Sequence, residues 1–384
     1  MFYSFCKRRV FKLYCLDVEL KECLYNVFIM GLIMELGDIL FKRLREAEAR
    51  LRGRRKLEVD DIFKRVGYLY PWDFHVTNYP RKMPMVAFNP AALEVDRGRA
   101  VMFPRLIFDY YMYSSSIGVT EEILLDDLLE GKFKRPLSTR IILWPKYNWD
   151  LNGCEDARVH RLNDEVLLLY TAYGFHRVGE ANFIRKPLLA LAVLGKDWNV
   201  KRRGLFKIVK GGQEFIPESF KSSAIVKVEG DEMTLLTRPE IRGIRCCWRA
   251  KGSLENLTID FDSLTPVLVR ESFEGHVGWS TNVVRLSRNE YLVGWHGMVL
   301  TNLAYYNGLA IVDDQGELLA LSNYLLAPRG LQEEYGDRSQ VIYGTGLIKY
   351  KEFIVWIGGV SDYCTGIFIA ELNKALEKVK WFKG

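Results

Sequence analysis

The sequence contains no Cys-x-x-Cys pair and no Cys/His set at metal-ligand spacing, which argues against a structural zinc site. Its seven cysteines are an odd number, and three of them (Cys6, Cys15, Cys23) crowd the N-terminus; this fits reduced thiols in a cytosol better than a disulfide framework. Cys154 has no His–Asn/Asp partner pattern that would make it a nucleophile. The longest uncharged apolar stretch, residues 24–34, is well short of the about 20 residues a membrane helix needs. Asp17, Glu19, Lys21 and Glu22 interrupt the apolar segment that a secretory signal would require after Lys7-Arg8-Arg9. Charge is nearly balanced, 54 Lys+Arg against 48 Asp+Glu for a net +6, and no basic stripe with interleaved aromatics marks a nucleic-acid surface. The expectation is a soluble, cytoplasmic protein with no metal, membrane or nucleic-acid partner. Long helical crossovers are also missing, so a doubly wound α/β sheet is excluded.

What is present is a repeat. With 49% hydrophobic and 13% aromatic residues in 384, a large core is available. Five segments read as a short apolar strand, a polar turn and a second apolar strand: residues 89–105, 153–174, 223–238, 281–297 and 345–362. Their turn markers Gly98, Asp164, Asp231, Asn289 and Lys351 are spaced by 66, 67, 58 and 62 residues. A hairpin-bearing unit recurring at that interval predicts a radial β array, here an all-β, five-bladed β-propeller.

The ends differ from the middle. Residues 1–33 share no pattern with the rest, and Met34 reads as an ordinary start of translation. Leu36, Ile39, Leu40, Leu44 and Leu51 recur at helical spacing, predicting a helix over 35–55 that Gly53 helps to end. A second short helix is predicted over 59–66, stopped by Gly67. This helical extension, residues 1–84, would pack outside the propeller or form a homo-oligomer contact. The β region is expected over 85–372, with a helical insertion at 121–129 and a closing helix at 371–379.

The second repeat carries the chain's most distinctive charge cluster: Glu155, Asp156 and Arg158 at the mouth of an apolar strand. Charge there is costly unless the groups pair or act; the plain alternative is a solvated strand entrance with a local ion pair. Equivalent strand ends in a radial array face one axial end. Such symmetry would gather Arg105, Asp156, Lys221, Arg238, His296 and Asp362 into one mixed-charge funnel, fitting a polar, anionic or sugar substrate. The plain alternatives are a surface lysine, an edge ion pair for Arg238 and a satisfied core histidine for His296.

In this order the sequence resembles glycoside hydrolase family 130, the mannoside phosphorylases and β-mannoside hydrolases. The marks are Phe88-Asn89-Pro90-Ala91-Ala92, Gly153-Cys154-Glu155-Asp156-Ala157-Arg158, Tyr170-Thr171-Ala172, Lys221, Arg238-Pro239, His296-Gly297, Glu334-Tyr335-Gly336 and the glycine-rich corner ending in Asp362. Ala157 replaces the family's usual proline, Ser222 stands where an aspartate often follows the lysine, and the stretch Cys246-Cys247-Trp248-Arg249 departs from the pattern. The resemblance implies a five-bladed propeller in which Asp156 is the general acid, with its proton passing through a substrate hydroxyl. It implies that inorganic phosphate, the co-substrate, is held by Lys221, Arg238 and His296. Asn89, Arg105, Glu155, Arg158 and Asp362 would bind the sugar, and no cofactor is implied. An acid that works near neutral pH should have a raised pKa, and burial beside Glu155 would raise that of Asp156. The alternatives are a hydrolase on the same scaffold, with a carboxylate activating water, and a non-catalytic carbohydrate-binding propeller.

Overall fold

A computed structural model of the chain describes residues 34–177 and 182–382, so the expectations for residues 1–33, including Cys6, Cys15 and Cys23, lie outside the described residues. The described chain is built on β-strands, and each of the five hairpins expected from the repeat is present. Their first and second strands are Val86–Asp96 with Arg99–Ile107, Gly153–Leu162 with Glu165–Arg177, and Ala224–Glu229 with Glu232–Thr237. Glu274–Arg285 with Tyr291–Val299 and Ile342–Tyr350 with Phe353–Val360 complete the set. All five pairs are antiparallel. The tight turns need left-handed backbone, supplied by Gly98 (φ 79°) in the first unit and Asn163 (φ 53°) in the second.

Each hairpin recruits further strands into a meander. In the second unit Phe183–Leu194 and Val200–Leu205 follow in order, and in the fourth Tyr305–Val312 and Leu318–Ser322 do the same. The fifth unit adds Cys364–Glu371 and then a strand from the other end of the chain, Lys64–Leu69, paired antiparallel to it. This corrects the helix expected over 59–66. Phe63 and Leu69 are buried, and the edge of the Cys364–Glu371 strand offers backbone partners that outweigh local helical propensity. The C-terminal helix is Leu372–Glu377, and the chain then adds a strand, Val379–Trp381, to the fourth unit. The insertion helix is Leu125–Glu130.

Apolar side chains on both faces of these strands form five large cores, each shared by two units. Phe103 and Ala91 meet Leu168 and Tyr170 between the first and second units. Leu169 and Leu191 meet Trp248 and Leu235 between the second and third, and Leu236 and Cys247 meet Trp279 and Trp295 between the third and fourth. Leu292 and Ile311 meet Trp356 and Phe368 next, and Val355 and Ile367 return to Ala92 and Met102 of the first unit. The helix over residues 34–51 buries Leu36, Leu40, Ala47 and Leu51 in the core of the second and third units, so its apolar stripe is satisfied within the chain.

The first strands of the five units succeed one another in the same cyclic order. Every one carries an irregularity in its pairing with the second strand: at Phe88/Ala91, Glu155/Arg158, Ile225/Lys227, Trp279/Val283 and Gly344/Gly346. A bulge re-aims side chains out of the strand's alternation. The first two bulges hold Asn89 and Asp156, whereas that of the third unit holds Val226, which stays in an apolar core.

Candidate active site

Asn89 and Asp156 sit in the first two bulges in left-handed backbone, with φ of 45° and 48°. Ser222, just before the first strand of the third unit, and Asp362, just after the second strand of the fifth, share that conformation at 57° and 51°. Non-glycine residues held there cost roughly 1–2 kcal/mol each, and such strain collects where a side chain must be aimed. All four side chains line one cavity of ≈ 160 Å³, together with Arg105, Glu155, Lys221, Arg238, His296, Tyr305, Arg338 and Tyr343. A second cavity of ≈ 310 Å³ shares Lys221, Arg238, Tyr305 and Arg338 and adds Arg245, paired with Glu240 at 2.9 Å, and His276.

On one side of the smaller cavity lie the carboxylates. Asn89 donates Nδ2 to Asp156 Oδ1 at 2.8 Å, and Gly359 leaves the room: a Cβ there would stand 1.8 Å from Asn89 Oδ1. Arg105, cushioned on the Phe88 ring at 4.9 Å, donates to Asp156 at 3.2 Å and to Glu155 at 2.8 Å. Burial pushes the Asp156 carboxyl up, but Arg105, Arg158 and the Asn89 hydrogen bond together outweigh it, and the group ends below the usual range. Burial first, and then the neighbouring Asp156 charge, push the Glu155 carboxyl up against the pull of Arg105, and it ends above its usual range. Asp362 is raised to about 6, by burial first, with Arg105 opposing and Asp156 adding to the rise. The expected raised pKa of Asp156 is therefore corrected. Of the three carboxyls, Asp156 is the one held below its ordinary value, while Glu155 and Asp362 are held above theirs.

Cations and hydroxyls form the other side. The Lys221 ammonium has no hydrogen bond among the described residues, and Arg238 uses one nitrogen on the Val277 carbonyl at 3.2 Å. Arg338 donates to Tyr305 Oη at 2.8 Å, with its guanidinium 4.7 Å from that ring's centroid. His296 is buried, shares a hydrogen bond with Ser280 Oγ through Nδ1 at 2.9 Å, and stacks on Tyr305. Burial, then His276 and Arg238, hold its pKa well below the ordinary value. These surroundings disfavour the charged form of His296, which faces the cavity as a hydrogen-bonding ring. Among the described residues no His/Cys/Asp/Glu group is arranged to hold a metal ion.

Eight of the nine expected site residues meet in this cavity: Asn89, Arg105, Glu155, Asp156, Lys221, Arg238, His296 and Asp362. Arg158 does not line it. Its buried guanidinium donates to the carbonyls of Asp156 (2.6 Å) and Ser280 (2.8 Å) and to Tyr343 Oη, so it braces the strained Asp156 backbone from behind. Sequence reasoning missed Tyr305, Arg338, Tyr343 and His276. Arg338 lies two residues beyond the Glu334-Tyr335-Gly336 motif, a signal that could have found it; the two tyrosines and His276 carry no local signature.

Residues 53–381 match the family described as β-1,4-mannooligosaccharide phosphorylase, glycoside hydrolase family 130. The chain belongs to that family. Its members are mannoside phosphorylases and hydrolases, so this family 130 chain is an enzyme of the glycoside-cleaving kind. Its fold is similar to that of β-1,2-mannobiose phosphorylase from Listeria innocua, with a TM-score of 0.61 at 17% identity over 81% of this chain and 96% of the other. A glycosyl hydrolase from Bacteroides ovatus superposes with a TM-score of 0.59 at 16% identity, covering 83% and 97%. A mannose phosphorylase from Leishmania mexicana, solved in complex with phosphate ion, gives 0.51 at 12% identity, covering 90% and 96%. No curated protein sequence matches the chain. No helix among the described residues is long and apolar enough to cross a membrane.

Proposed function

We propose that this family 130 enzyme is a five-bladed β-propeller that cleaves β-mannosides by inverting phosphorolysis, releasing mannose 1-phosphate. The propeller reading rests on the five shared cores, which follow one another around a ring and return to the first unit. The observation that carries the chemistry is that the Asp156 carboxyl and three cations, Lys221, Arg238 and Arg338, line one small cavity. Cleaving the acetal needs a proton on the leaving oxygen, and attack from the opposite face needs a held anion.

Asp156 is the general acid in this reading, and its lowered pKa then has a consequence. Lys221 helps to hold both Glu155 and Asp156 down. A phosphate dianion neutralising Lys221 removes that pull and pushes both carboxyls up, and a sugar that takes over the Asn89 and Arg105 donors removes more of it. Loading of both substrates protonates the acid. The proton then passes to the glycosidic oxygen as the C1–O bond breaks, while a phosphate oxygen bonds C1 from the far face. Asn89, Arg105 and Asp362 hold sugar hydroxyls; Tyr305 and neutral His296 complete the anion's hydrogen bonds. The phosphate-bound Leishmania neighbour and the mannobiose-bound Listeria neighbour support this choice of co-substrate and sugar.

The test incubates the protein with β-1,4- and β-1,2-mannosides, with and without phosphate. Phosphate-dependent mannose 1-phosphate is expected, falling about 10²–10⁴-fold in Asp156→Asn. A hydrolase is the second reading, favoured by the two additional carboxyls, Glu155 and Asp362, either able to activate water. Free mannose formed without phosphate would establish it and overturn the phosphorylase.

A further inference from the structure

The Glu334-Tyr335-Gly336 motif has no part in the chemistry above, yet it lies in the segment that delivers Arg338. The residue before it, Glu333, is fully buried and is the most heavily bonded carboxylate of that segment. Arg65 grips it in fork geometry, Nε to Oε1 at 3.0 Å and Nη2 to Oε2 at 3.1 Å. Tyr68 Oη and the Arg329 amide donate to the same carboxylate, each at 2.8 Å. Arg65 is itself fixed by Asp61, at 2.6 Å, and by the Ala327 carbonyl at 2.7 Å. Both Arg65 and Tyr68 come from the Lys64–Leu69 strand, the one that enters the fifth unit from the other end of the chain.

From Glu333 the contacts run directly to the cavity. Ser361 Oγ donates to the Glu333 carbonyl at 3.1 Å, and the Arg338 amide donates to the Ser361 carbonyl at 3.0 Å. Gly336 packs so closely on Ser361 that a Cβ there would lie 2.4 Å from the serine Cβ. Ser361 and Asp362 are consecutive left-handed residues, a conformation that persists only where neighbours enforce it. The two ends of this chain of contacts are Arg338, a cation of the cavity, and Asp362, a carboxylate of the cavity.

We propose that Arg65 and Glu333 are positioning residues for the anion side of the site, acting through Ser361 and the backbone of Arg338. The inference rests on the phosphorylase reading for its kinetic form, but its physical content is anion binding. An ion pair buried only to hold the fold would be replaceable without touching ligand affinity. This one is linked through Ser361 to Arg338 and Asp362 in the two walls of the cavity, so loosening it moves Arg338 relative to Lys221 and Arg238.

The experiment compares Glu333→Gln, Arg65→Met, Arg65→Lys and Ser361→Ala with the wild-type full chain. Two readouts are taken: steady-state kinetics with phosphate varied at saturating mannoside, and the rise in Tm produced by orthophosphate alone. Glu333→Gln and Arg65→Met are expected to raise the phosphate KM about tenfold, the scale of one charge-assisted contact, while kcat at saturating phosphate falls less than threefold. Arg65→Lys keeps the charge but not the fork and should recover part of the loss. The phosphate-induced Tm rise should shrink in the same rank order. Variants that lower the basal Tm yet keep the wild-type phosphate KM and Tm rise would overturn the proposal, leaving a purely structural pair. Should Arg65→Met fail to fold, Glu333→Gln and Ser361→Ala decide. A wild type with no phosphate-dependent turnover would sink the phosphorylase reading alone, and the phosphate-induced Tm rise would still decide this one.

Discussion

Replacing Arg105 by methionine tests the electrostatics of the cavity without any assumption about substrate. Arg105 is about nine-tenths buried and is the cation that pulls down three carboxyls at once: Glu155, Asp156 and Asp362. Methionine keeps the packing on Phe88 and removes the charge. Removing one partner of a buried ion pair costs about 3–5 kcal/mol, because the partners are left uncompensated. The carboxyls can escape this cost by taking protons. A carboxyl whose folded-state pKa lies above its unfolded value costs stability at high pH, and the cost disappears as pH falls through the raised pKa. The gap between wild type and Arg105→Met should therefore be about 3–5 kcal/mol at pH 8 and narrow on acidification. Each carboxyl protonated in the folded variant but ionised in the folded wild type contributes up to about 1.4 kcal/mol per pH unit to that narrowing. In the wild type the stability from the depressed Asp156 is present above the unfolded pKa and lost only as pH falls through the folded one, below the range assayed, so it does not alter the gap between pH 8 and 5. Urea unfolding of both proteins at pH 8, 6.5 and 5 measures the gap. A gap of equal size at all three would refute the reasoning, since it would mean that lost packing, and not uncompensated charge, sets the cost.

Asp362→Asn should stabilise the protein at pH 8 and do so by well under half as much at pH 4.5. A carboxyl raised to about 6 from 3.8 costs up to roughly 3 kcal/mol once ionised, and the amide removes that cost; equal shifts at the two pH values would contradict it. Gly359→Ala should lower kcat/KM by about tenfold or more and destabilise by about 1–3 kcal/mol, since the new methyl must displace Asn89 from its bond to Asp156. Wild-type activity in that variant would show that the Asn89 contact is dispensable. His296→Gln should retain anion binding better than Lys221→Met, because His296 contributes a hydrogen bond and no charge. The orthophosphate-induced rise in Tm ranks the two, and the reverse order would restore a cationic histidine.

The five hairpins were legible because strand alternation and turn chemistry are local: apolar runs around Gly98 or Asn163 say where the chain must fold back. Repetition of that signal, with the family marks, also led to the residues of the cavity, since each lies at a hairpin end. Three matters had no local signal. Residues 59–66 form no helix because a strand edge more than 290 residues away claims the adjoining backbone, a pairing no window of sequence contains. The charge state of Asp156 depends on Arg105 and Asn89 from another unit, so the burial that should raise its pKa is outweighed by partners invisible to spacing. Arg158, adjacent in the motif to the groups it seemed to join, turns to carbonyls of the fourth unit because the bulge at Asp156 sends it behind the wall. Hydrogen-bond turns and periodic burial act between neighbours in the chain and can be read from it. Direction of a side chain and the balance of its electrostatic field are set by whatever the folded chain brings within a few ångströms, and only the tertiary structure decides them.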